Sequence, residues 1–178
     1  MSNGRFQVSV RWQDFQGNTG AGNAIALTSD TGYFWFFTNT NVELVVKVLD
    51  ATALNGHFWV FYGALSNVEY EITVTDTATA EHRTYSNPSG QFASAGDTLA
   101  FPTGSGSAVT AFGPALAFAG SPETGPGPGG AARGRWARAE TTGCVADPTA
   151  LCLADGRFRV EVNWKDFQGR TGRGQAVG

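Results

Sequence analysis

One block, Trp-x-Asp-Phe-x-Gly-x-Thr-Gly-x-Gly, occurs twice, over 12–22 and 164–174, and is the first place to look for chemistry. Glycine-rich loops cradle phosphates, but they do so between a strand and a helix whose N-terminus supplies the field. Here Ala24-Ile25-Ala26-Leu27 follows, which has the character of a strand, and no Lys sits in the loop of the first copy. The block therefore reads as a structural corner. Asp14 accepts hydrogen bonds from turn N–H groups, while Gly17, Gly20 and Gly22 supply unusual backbone angles.

Other reactive types are scattered. Asp14, Asp30, Asp50, Asp76 and Asp97 fall at strand ends or turns. A calcium site would draw about six to eight oxygens from such loops. Their spacing is diffuse, with no Asp-x-Asp-x-Asp run, so turn capping is favoured. His57 and His82 have no His, Cys or Asp cluster around them, so no metal site is expected. No Gly-x-Ser-x-Gly, His-Glu-x-x-His or paired-carboxylate motif is present. The expectation is a non-enzyme without a cofactor.

The aromatics are the remaining candidates. Trp12, Tyr33, Phe34, Trp35, Phe36, Trp59 and Phe61 could stack sugar rings on a sheet face. Yet such rings also dominate β cores, where truncating one costs about 3–5 kcal/mol. The core reading is favoured. If a ligand platform exists, Phe34, Phe36 and Trp59 are the residues expected to form it.

Cys144 and Cys152 close a loop of nine residues, GCVADPTALC from Gly143. A disulfide there would contribute about 2.5 kcal/mol on the loop-entropy account and would imply an oxidising compartment. Two unpaired thiols are the alternative. The opening MSNGRFQV has neither a basic n-region nor an apolar h-region, so an exported protein is expected to carry its leader upstream of Met1.

These residues must be positioned by strands. Phe6, Val8, Val10 and Trp12 alternate with polar residues, as do Val68, Tyr70, Ile72 and Val74; Val42, Leu44, Val46 and Val48 point one way, with Glu43 and Lys47 the other. Tyr33 to Phe37 is aromatic on both faces, which predicts a central strand covered on each side. Asn55-Gly56 supplies a turn pair. About eight short strands over residues 1–101, with no helical period, predict an all-β, antiparallel β-sandwich of Ig-like type; a closed barrel is the alternative.

From residue 102 to 150 the texture changes. Six of the seven prolines and ten of the 24 glycines lie there, which predicts a flexible linker. Residues 151–178 then open a second copy: the first 26 residues line up with those from Leu153 without a gap at an offset of 152, with matches that include Gly4/Gly156, Phe6/Phe158, Trp12/Trp164 and Asp14/Asp166. This is the mark of a tandem array.

Composition narrows the partners. Charged residues are 15% of the chain and net charge is −3, with no basic stripe, so nucleic acid is not expected. No apolar run approaches the ~20 residues that span a bilayer.

The stretches NGRFQVSVRWQDFQGNTG, NVELVVKVLDATALNGHFWVFYGALSNVEY and CVADPTALCLADGRFRVEVNWKDFQG resemble a repeat module of secreted or surface proteins of environmental bacteria. The resemblance covers residues 4–101 and 144–177. It implies an extracellular location, tandem arrangement and no catalytic role, and brings no functional residues with it. A non-catalytic adhesion, spacer or display module of a larger protein is the leading expectation. A carbohydrate-binding accessory module is the alternative, and a secreted hydrolase fragment a remote third. The expected partners are a protein or polysaccharide surface. Two strands of a second copy cannot bury their apolar face alone. Residues 153–178 are therefore expected either to fray or to drive self-association.

Overall fold

A computed structural model of the chain describes Met1, residues 4–103 and residues 144–177. These fall into two compact units, within 1–103 and 144–177. Most of the expected linker lies outside the described residues.

Side-chain alternation builds the first unit. In β1 (Phe6–Gln13), Phe6 and Val10 are buried while Gln7, Ser9 and Arg11 are exposed. The Asp14 corner turns the chain into β2 (Thr19–Ala21), and Gly22 passes it into β3 (Asn23–Ala26) of a different sheet. A Cβ on Gly22 would lie 3.2 Å from Val10, Phe34 and Phe36, so the crossing leaves little room for any side chain.

There follow β4 (Thr31–Trp35), β5 (Leu44–Ala51), a single helical turn α1 (Thr52–Asn55), and β6 (His57–Ala64). The unit closes with β7 (Glu69–Asp76), β8 (His82–Asn87) and β9 (Ser94–Pro102). The turn α1 is not apparent from the sequence pattern. Asp50 accepts the Thr52 N–H at 3.0 Å to start it, and Gly56, at φ +75°, ends it in the left-handed region.

One sheet has the order β2-β1-β7-β8 and the other β3-β4-β5-β6-β9, with every pairing antiparallel. Each sheet keeps two edge strands, so the two layers form a sandwich rather than a closed barrel. Phe6, Val10, Tyr70, Ile72 and Val74 of the first sheet form one core with Phe34, Leu44, Val46, Val48, Val60 and Phe101 of the second. Nine strands appear instead of about eight. The additional one, β2, is contained in the glycine-rich corner.

The expectation for Tyr33 to Phe37 needs correcting. The strand is β4, ending at Trp35, and it lies second from the edge of its sheet. One face is in the core; the other has no covering layer among the described residues of this unit.

The second unit holds β10 (Ala150–Leu153) paired with β11 (Phe158–Glu161), and β12 (Asn163–Lys165) paired with β13 (Thr171–Arg173). Cys144 and Cys152 are joined in a disulfide, with Cα atoms 5.7 Å apart. The Cys144 N–H donates to Gly156 O at 2.9 Å. Residues 144–150, read from sequence as the end of the linker, are thus fastened to the strands that follow them.

Candidate functional site

The two outward faces of the sandwich differ in kind. Gln7, Ser9, Arg11 and Gln13 on β1 stand beside Glu69, Glu71, Thr73 and Thr75 on β7, and these beside Thr84 and Ser86 on β8. That face is polar throughout, as solvent contact requires. The outward positions of the five-stranded sheet instead carry Ile25, Tyr33, Trp35, Val45, Leu49, Trp59 and Phe61, with Lys47 as the cation among them.

Register arranges these residues. Tyr33 is opposite Val45 and Thr31 opposite Lys47; Lys47 is in turn opposite Phe61, and Leu49 opposite Trp59. The Trp59 and Phe61 rings are 6.1 Å apart, edge to face at 73°. Trp59 is held by its Nε1–H, which donates to Asn55 Oδ1 at 2.9 Å; Asn55 Nδ2 donates to Thr98 O at 2.9 Å. Phe61 lies over Gly96, where a Cβ would come within 2.8 Å of the ring. Glycine in the facing strand therefore sets the seat of this aromatic. Beside it an open groove is lined by Lys47, Phe61, Phe92 and Gly96.

Of the expected platform, only Trp59 stands on this face. Phe34 is 2% exposed and Phe36 4%, and both belong to the core, so they cannot stack a ligand. Strand parity is the reason. Phe34 pairs across to the fully buried Leu44, which turns the neighbouring Tyr33 and Trp35 outward. The outward aromatic set is thus Tyr33, Trp35, Trp59 and Phe61.

The aspartates are committed to structure. Asp14 Oδ1 accepts the N–H groups of Gln16 at 2.9 Å and Asn18 at 2.8 Å, and Oδ2 accepts Asn18 Nδ2 at 2.8 Å. The Asn18 side chain, aided by these N–H groups, holds the Asp14 carboxyl below its ordinary range. Asp76 accepts a forked pair from Arg5 at 2.9 and 2.6 Å. Asp97 accepts the Tyr85 hydroxyl at 2.9 Å; burial, with that carboxylate second, pushes the phenol up. His57 Nδ1 is 2.8 Å from Asn55 O. Among the described residues no three His, Cys, Asp or Glu side chains gather where they could hold a metal.

Glu43, which alternates with Val42 and Leu44, is buried. It is 4% exposed, with Asn41 Nδ2 donating to Oε1 and its own N–H donating to Phe34 O at 2.9 Å. Nothing in the alternation of a charged residue with valines and leucines signals that burial.

The second unit repeats the corner bond for bond. Asp166 accepts the N–H groups of Gln168 and Arg170 at 2.9 and 2.8 Å. Trp164 Nε1 donates to Arg173 O at 3.2 Å, as Trp12 Nε1 does to Ala21 O at 3.3 Å. Gly169 and Gly17 share φ values of +84° and +85°.

No family model, curated protein or solved structure matches the chain.

Proposed function

We propose that the chain is a non-catalytic extracellular repeat module, acting in adhesion, spacing or display within a larger secreted bacterial protein. The observation that carries this reading is the corner built twice, at Asp14 and at Asp166, from matching sequence and matching hydrogen bonds. The Cys144–Cys152 disulfide supports an oxidising compartment. No helix among the described residues is long and apolar enough to cross a membrane. Fractionating the source cells with an antibody to this chain tests the proposal. The protein should be found in the medium or on the surface, with both cysteines resistant to alkylation until reduced. A cytosolic pool with free thiols would contradict it.

A second reading is favoured by the outward aromatic set. Tyr33, Trp35, Trp59 and Phe61 offer apolar ring surface, with Lys47 and Thr31 between them as hydrogen-bonding groups. Sugar rings suit such a surface, each presenting C–H bonds to an aromatic ring and hydroxyls to polar neighbours. The test is retention on insoluble cellulose and chitin. The parent chain should be retained and the Trp59→Ala variant released; a parent that washes through ends this reading.

A further inference from the structure

Lys47 is the one Lys, Arg, Asp or Glu at the outward strand positions of the five-stranded sheet. Asp50 and Asp97 pair with the buried Phe58 and Val60, so both take the inward parity. Lys47 is exposed, and its ammonium has no ion-pair or hydrogen-bond partner among the described residues. Asp30, next to the Thr31 that faces Lys47, makes no ion pair with it. The outward face of the other sheet differs, since Arg11 there stands opposite Glu71 and near Glu69. A chain of net charge −3 thus keeps one unshared cation on its aromatic face.

Register puts that cation beside a seat for a ring. Lys47 is directly opposite Phe61, and the Cβ atoms of such a pair stand about 5 Å apart. Both line the open groove with Phe92, which is 66% exposed. Gly63 and Gly96 line it too and contribute no side chain to fill it. A pyranose stacked on an aromatic ring gives that ring its C–H face and turns its equatorial substituents sideways, in its own plane. A carboxylate at C5 therefore meets the residue beside the ring. Beside Phe61 that residue is Lys47.

Resting on the carbohydrate reading of this face, we propose that its ligand is an acidic polysaccharide of uronic acid units, with the carboxylate taken by Lys47 and the rings received by Phe61 and Trp59. Charge complementarity selects the occupant. A neutral sugar lying over Lys47 offers it hydroxyls alone, whereas a carboxylate makes a charge-assisted bond roughly twice as strong. Val45 and Leu49 flank Lys47 on its own strand, and apolar neighbours that exclude water strengthen the attraction. An ammonium suits a single carboxylate, being a point charge without the planar fork of an arginine. Glu69 and Glu71 make the opposite face repel the same polymer.

Titration calorimetry of the full chain with soluble polygalacturonate, and with the same polymer fully methyl-esterified, isolates the charge, because ring and linkage are shared. At low salt the parent should bind the acid form about tenfold more tightly, the worth of one hydrogen bond to a charged group. The advantage should shrink at about 1 M salt. Lys47→Gln should abolish the preference and Lys47→Arg should keep it. Arg11→Gln, on the opposite face, should keep it as well, and Trp59→Ala should weaken binding of both forms. Equal binding of the two forms by the parent, alongside retention on cellulose or chitin, overturns the inference and leaves the sugar reading standing. A preference that survives Lys47→Gln, or that Arg11→Gln removes, also overturns it, since the charge then acts from elsewhere. A parent that binds neither form, nor cellulose, nor chitin brings down the sugar reading and the inference with it.

Discussion

The indole of Trp12 lies against the backbone of Gly20, its cross-strand partner, so closely that a Cβ there would sit 2.5 Å from the ring. Trp164 and Gly172 repeat the arrangement at 2.4 Å. Gly20→Ala should therefore displace Trp12 from its contacts with Phe36 and Phe37 and cost about 1–3 kcal/mol. Gly172→Ala should leave the melting of the first unit unchanged. Denaturant midpoints of the two variants beside the parent check both expectations.

Acid should act through Asp76. Its side chain is 1% exposed, and the Arg5 guanidinium holds its carboxyl below the ordinary range. The unfolded carboxyl takes up its proton first as pH falls. The stabilisation is therefore whole above the unfolded value of about 4 and drains away as pH falls through the lower folded value. Asp14 and Asp50 are lowered too and act in the same direction. Melting temperatures between pH 7 and 2 should hold steady and then fall below about pH 4. Arg5→Ala should cost about 3 kcal/mol at pH 7, because it leaves Asp76 buried without its partner.

Reduction of Cys144–Cys152 should act locally. The bond closes a short loop onto β10, for which the entropic account gives about 2.5 kcal/mol. Hydrogen exchange in residues 150–161 should quicken on reduction, while the strands of the first unit keep their protection.

The exposed row at Phe158, Val160, Val162 and Trp164 should make the parent chain associate weakly at high concentration. Light scattering should show mass rising with concentration for the full chain. It should not rise for Val162→Asp or for a chain ending at Phe101.

Much of this architecture is legible in the amino-acid order, for a definable reason. In β1 and β7 one parity is apolar and the other polar, so the inward face declares itself; in β5 Val45 and Leu49 make the outward parity apolar too. At Tyr33 to Phe37 both parities are aromatic, and local pattern carries no sign. There the decision is made by Phe34 pairing with Leu44, a tertiary fact. β2 escapes notice because Thr19-Gly20-Ala21 has weak strand character; the signal that completes it is the Trp12 ring in need of a glycine across the ladder. The site suffers most from the ambiguity of β4. Trp59 emerges from its own strand's alternation, whereas Tyr33 and Trp35 are hidden behind their neighbours Phe34 and Phe36.

The claim on which the account turns is that adjacent aromatics of β4 serve opposite faces, and a pair of single substitutions tests it directly. Phe34→Ala should lower stability by about 3–5 kcal/mol. Tyr33→Ala should cost about 1 kcal/mol or less while changing retention on polysaccharide. Equilibrium unfolding in urea reads both. A Tyr33→Ala loss as large as that of Phe34→Ala, or a Phe34→Ala chain as stable as the parent, would contradict the arrangement.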